Sequence, residues 1–106
     1  MKTNDILTAY ISWPGGGKSR PIYVINDDGE KIRFYKITSK YINKTNSIKR
    51  MYFPINDWKA SGLYKPSYID TITVGCLLKK KFKIKYVGKL SSKDAKRFVE
   101  FLENTQ

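Results

Sequence analysis

The chain has 106 residues, 41% of them hydrophobic, with a formal net charge of +12, one cysteine and no histidine. That length supports one domain with its own core, so residues 1–106 read as a single domain. The missing histidine excludes a Ser-His-Asp triad, a His-paired cysteine nucleophile, His-ligated zinc and two-histidine RNA hydrolysis, and the lone Cys76 excludes an internal disulfide.

Asp5–Ile11 (DILTAYI) reads as a first strand and Ser12–Ser19 as a glycine-rich loop. Arg20–Asn26 (RPIYVIN) is a second strand, rich in β-branched residues. Asp27-Asp28-Gly29 is a turn signal, and Lys31–Ser39 (KIRFYKITS) the returning strand. Lys40–Ser47 is polar and loop-like, Ile48–Ile55 a fourth strand with Pro54 near its end, and Asn56–Gly62 a short helix. Lys65–Val74 is extended, and Lys81–Val87 (KFKIKYV) alternates strictly, with Lys81, Lys83 and Lys85 on one face and Phe82, Ile84 and Tyr86 on the other. Ser91–Asp94 starts a terminal helix whose apolar stripe is Ala95, Phe98, Val99 and Leu102. Antiparallel strands closed by one helix imply a mainly β fold, a small SH3-like antiparallel barrel with a C-terminal helix.

The charge implies an anionic partner, and eight Tyr and five Phe interleave with the basic residues. Charge with aromatics is the chemistry of phosphate tracking and base stacking. No apolar run reaches membrane-crossing length, and Met1–Asp5 lacks the apolar stretch of a leader, so no membrane role and a cytoplasmic location are expected.

The stretch SWPGGGKSRP, residues 12–21, ends its glycine run as a nucleotide-triphosphate loop does, in Gly17-Lys18-Ser19. Such a loop needs G-x-x-x-x-G-K-[ST] and a helix to follow. Ser12 stands where the first glycine belongs, a strand follows, and Pro21 has no amide to offer a phosphate. The run therefore reads as a flexible hairpin or lid-like loop, with Lys18 and Arg20 free to meet phosphate. The lysines at 81, 83 and 85 would lie about 6.6 Å apart along a strand. That spacing suits successive phosphates, and it equally suits an edge protected against aggregation.

GGGKSRPIYVI followed by IRFYKITSKY resembles the MazF/PemK family of toxin endoribonucleases, and SGLYKPSYIDTITV and VGKLSSKDAKRFVEFL extend the likeness in the right order over nearly the whole chain. The resemblance implies an SH3-like barrel that forms a homodimer. It implies cleavage of single-stranded RNA by transesterification without metal or other cofactor, and inhibition by an acidic antitoxin. Arg20 matches the family's catalytic arginine, Thr38 its catalytic threonine and Ser39 the residue beside it; Asp70 sits where some members place a catalytic aspartate. Lys18, Ser67, Tyr68 and the three alternating lysines join Ser39 as expected substrate-binding residues. Some members pair the aspartate with an arginine where this chain has Tyr68, and some use a histidine in the first loop, which this chain lacks.

The chemistry fits these residue types. An arginine stays charged and presents a fork of donors to phosphate oxygens. Hydroxyls such as those of Thr38 and Ser39 can hold phosphate oxygens or the 2′-hydroxyl. Asp70 is the available base, and a carboxylate accepts protons well at neutral pH only where its surroundings favour the protonated form. Each residue also has a plainer use: Arg20 in an ion pair, Thr38 and Ser39 at a strand end, Asp70 on backbone amides. A non-catalytic barrel that binds nucleic acid or an acidic protein through its basic face is the alternative reading.

Overall fold

The computed structural model describes residues 1–105, except for the side chains of Ile11 and Trp13. In chain order it has β1 (Asp5–Trp13), β2 (Gly16–Asp27), β3 (Lys31–Thr38), α1 (Asn46–Lys49), β4 (Tyr52–Ile55), β5 (Ser67–Leu78), a 3₁₀ turn at Lys79–Lys81, β6 (Ile84–Lys89) and α2 (Ser92–Asn104). The strands form one antiparallel sheet in the order β4-β5-β3-β2-β1-β6. The expected class, mainly β with a terminal helix, is what the chain adopts. The sheet is open, with β4 and β6 as its edges.

Side chains alternate across a strand, and here the alternation feeds two cores. Ile6, Tyr23, Ile37, Phe53, Ile55 and Ile69 point to one face, where Leu90 and Phe98 of α2 close over them. Phe98 is 1% exposed, with its ring edge-on to Tyr23 and 4.9 Å from that of Phe53. The other face carries Leu7, Ala9, Ile22, Val24, Ile32 and Leu77, backed by Phe34 and Ile84. These are at most 7% exposed although α2 lies on the opposite side. The sheet must therefore curl on itself there, and register shifts in three ladders, at Ile6/Leu7, Val24/Asn26 and Phe34/Lys36, supply the bends.

The stripe on α2 differs from the expected one by one residue. Val99 is 56% exposed, while Phe101 packs beside Ala95 and Leu102. An ideal 100° step puts position 101 about 60° around the helix from the buried Phe98 and position 99 about 100° from it. Ser91 caps the helix through the Asp94 amide at 3.1 Å. Asp94, 1% exposed, accepts from the Asp57 amide at 2.8 Å and from Arg97 at 2.7 Å, so it pins the 56–57 turn to the helix.

Four local expectations are corrected. The glycine run is no loop: β1 runs to Trp13, β2 starts at Gly16, and only Pro14 and Gly15 turn between them. Gly15 has φ +90, which glycine adopts without strain after a proline. Ile48 begins no strand, because Thr45 caps a single helical turn by accepting from the Ile48 amide. Asn56–Gly62 forms turns closed by Ser61 N to Asp57 O and Leu63 N to Trp58 O, rather than a regular helix. Lys81 falls in the 3₁₀ turn, so β6 starts three residues later than the alternation of lysines suggested.

Candidate active site

Three strands bring the expected residues to one place. In the β2–β3 ladder Ile22 faces Lys36. Arg20 lies two residues beyond Ile22 on β2, and Thr38 two beyond Lys36 on β3, so the two share that face just past the end of the paired ladder. Thr38 pairs with Tyr68 of β5, and Tyr68 with Pro54 of β4; the neighbouring row is Ile22, Lys36, Asp70 and Tyr52. Residues in one row, and residues two apart on one strand, share a face. Arg20, Lys36, Thr38, Tyr52, Tyr68 and Asp70 thus lie on the face of Ile22 and Val24, at the end where the apolar curl gives way to polar side chains. Lys18 extends the line beyond Arg20 and is exposed.

The burial pattern marks the change. Val24 and Ile22 on β2 are 0% and 1% exposed, and the next two residues on that face, Arg20 and Lys18, are exposed. On β3 the face runs from Ile32, buried, through Phe34, half-buried, to Lys36, exposed, and Thr38, half-buried. Among the described residues, Lys18, Arg20 and Lys36 take part in no ion pair; the acidic partners in the pairs that do form are Asp27 and Asp94. The plain use of Arg20 in an ion pair is therefore not the one found.

Thr38 Oγ1 accepts from the Lys40 amide at 3.1 Å, which fixes the oxygen and leaves the hydroxyl proton free to donate. Ser39 is exposed beside it. Asp70 Oδ1 accepts from the Ile72 amide at 3.0 Å. Asp70 pairs with Tyr52 across the β4–β5 ladder. Burial first, then the Asp70 charge, hold the Tyr52 phenol above its ordinary range. Tyr68 stacks on Tyr41, with ring centroids 4.2 Å apart and planes 7° from parallel, and the Lys49 ammonium sits 5.0 Å from the centre of the Tyr41 ring. The loop after β3 is thereby folded back onto β5, and a further cation joins the site.

Not every expected residue arrives. Ser67 lies one residue from Tyr68 and so faces the core; it is 7% exposed and donates to Lys65 O at 2.8 Å. Lys81 is in the 3₁₀ turn. Lys83 and Lys85 stay on a common face, but it is the face of Thr8, which pairs with Lys85, and of Tyr10, opposite to that of Ala9 and Arg20. Sequence reasoning missed Lys36, Tyr41, Lys49 and Tyr52. Lys36 was findable two residues before Thr38 on an alternating strand. The other three reach the site through the α1 turn and β4 pairing, for which the local pattern held no signal.

Among the described residues, no group of three or more His, Cys, Asp or Glu is placed to hold a metal ion, and no helix is long and apolar enough to cross a membrane. No family model and no curated protein matches the sequence. Solved structures do match, among them Mycobacterium tuberculosis toxin MazF-mt6, at 14% identity with a TM-score of 0.64, over 92% of this chain and 92% of that one. At that identity the likeness is one of fold: this chain has the fold of a MazF toxin.

Proposed function

We propose that the chain is a toxin-type endoribonuclease that cleaves single-stranded RNA by transesterification, with no metal in the reaction. The observation that carries this reading is Arg20 on the face of the rows Thr38–Tyr68 and Lys36–Asp70–Tyr52, where Lys18, Arg20 and Lys36 have no ion-pair partner among the described residues, on a fold shared with a toxin. In the reaction the 2′-oxygen bonds to the adjacent phosphorus and the bond to the 5′-oxygen breaks, and the leaving 5′-oxygen takes a proton from water, giving a cyclic phosphate and a 5′-hydroxyl. Arg20 stabilises the charge added on the phosphorane, and one such preorganised donor is worth about 10²–10³ in rate. Thr38 donates to a phosphate oxygen or orients the 2′-hydroxyl. Asp70 takes the 2′-proton, with Lys36 across the ladder and the Tyr52 phenol positioning it.

Lys18 and Ser39 bind the phosphates on either side of the cleaved one, and Tyr68 offers a ring to a base. A homodimer, an acidic antitoxin laid over this cationic face and action in the cytoplasm belong to the same proposal, through the resemblance of the sequence motifs. One observation favours a second reading, a non-catalytic module that binds nucleic acid or an acidic protein: the Asp70 carboxylate already accepts from the Ile72 amide. The test is cleavage of a long, weakly structured RNA in excess chelator. Fragments with 5′-hydroxyl ends, lost in Arg20→Ala and Thr38→Ala, fit the enzyme. A folded wild-type protein that binds many RNAs and leaves all of them intact fits the second reading.

A further inference from the structure

The face opposite Arg20 carries a hollow that the proposed reaction does not use. It has a volume of about 360 Å³ and is lined by Thr8, Tyr10, Ser19, Lys83, Ile84 and Lys85. The ladders place these residues: Thr8 pairs with Lys85, Tyr10 with Ser19, and the Tyr10 amide donates to Lys83 O at 3.0 Å. The Tyr10 ring is 44% exposed and lies across Gly17, where any side chain would collide with it. Gly17 therefore lets an aromatic ring lie down on the sheet with one face turned outward.

The electrostatics are one-sided. Residues 6–26 and 71–93, which supply every lining residue, contain no Asp or Glu. Among the described residues Lys83 and Lys85 have no ion-pair partner, and both are exposed. Two residues apart on extended chain, they stand about 6.6 Å from each other, close to the interval between successive phosphates. Ser19 and Thr8 add hydroxyls that can donate to phosphate or sugar oxygens. A flat ring between a pair of lysines and two hydroxyls is a stacking platform with a backbone track.

We propose that this hollow binds one step of a single-stranded nucleic acid, with a base on Tyr10 and the flanking phosphates on Lys83 and Lys85, as a contact separate from the Arg20–Thr38 row. It rests on the reading of the chain as an RNA-binding protein and extends the contact past the cleaved phosphate to the other face of the β1–β2 hairpin. Its consequence is length dependence: a long strand reaches both faces, and a trinucleotide reaches only the row.

The experiment measures binding of a fluorescent 2′-O-methyl RNA, which has no 2′-hydroxyl to react, against salt concentration. Lys83→Gln with Lys85→Gln is expected to flatten the slope of log affinity on log salt by about 1.4, at roughly 0.7 per lost contact. Tyr10→Ala is expected to weaken binding on the order of 5- to 150-fold, while Tyr10→Phe keeps it, because stacking needs only the ring. Should Tyr10→Ala disturb the hairpin, the exposed lysine pair still decides the matter. Wild-type affinity and slope in the lysine variant would overturn the proposal. So would a polyglutamate peptide that loses binding in that variant while the RNA does not, since the hollow would then belong to an acidic protein. Absence of any RNA cleavage would sink the enzyme reading and leave the binding result standing.

Discussion

The two faces of the sheet obey the same two-residue alternation and end in opposite conditions. On the helix side, Tyr23, Ile37 and Ile69 sit under Phe98 and are at most 6% exposed. One residue along on each strand, Ile22 is closed off by the curl, but Thr38, Tyr68 and Asp70 stay open enough to meet a ligand. The difference teaches that a neighbouring residue becomes core or chemistry according to what covers its face. The charges divide in a similar way. Asp27, Asp28 and Asp94 accept hydrogen bonds that hold turns and the helix in place, whereas Arg20, Lys18 and Lys36 make no ion pair among the described residues.

Substitutions should separate the faces. Phe98→Ala on the covered face is expected to cost about 3–5 kcal/mol, a large part of a small domain's stability, by emptying the centre of an aromatic cluster. Chemical denaturation would read it as a lower midpoint, and an unchanged midpoint would mean that α2 does not close the core. Arg20→Ala on the open face is expected to lower cleavage about 10²–10³-fold and leave stability within about 0.5 kcal/mol, as for a surface change. Loss of folding in that variant would erase the contrast between the faces.

Tyr68→Ala tests the aromatic edge of the open face. Binding of uncleavable RNA should weaken on the order of 5- to 150-fold if the ring carries a base; equal affinity would confine Tyr68 to holding Tyr41 and the loop behind it. The smallest effect concerns a charge that does hold the fold. The hydrogen bond from Lys79 at 2.8 Å, followed by that from the Gly29 amide, lowers Asp27 from 3.8 to about 2. Since the folded value lies below the unfolded one, the stabilisation is present above about pH 4 and is lost as pH falls toward 2. A melting-temperature profile over that window should be flatter for Asp27→Asn than for wild type. Parallel profiles would show that Asp27 contributes nothing through its charge.

Much of the site was legible because strands write their faces into alternating residues. Arg20, Thr38, Tyr68 and Asp70 stand in the motifs, and alternation along β2, β3 and β5 sets them on one face. The lysines at 83 and 85 share a face as expected, yet the face is the wrong one for the Arg20 row: alternation within a strand says nothing about which side the neighbouring strand presents. Ser67 failed for the same reason, since one residue's difference from Tyr68 sends it into the core. The glycine run looked like a loop because composition marks glycine as a breaker, while pairing with β1 keeps Gly16 and Gly17 in a strand.

Local physical chemistry was enough to specify a basic, mainly β chain with a capped terminal helix. Those properties depend on residue type and near neighbours: charge sums along the chain, β-branched runs favour strands, and Ser91 caps whatever helix follows it. The meeting of Arg20 with Thr38, the arrival of Tyr41, Tyr52 and Lys49, and the division of the lysines between two faces were decided only in three dimensions. Each depends on strand order, register and the bends at three bulges, and these minimise the energy of the whole sheet rather than of any one segment.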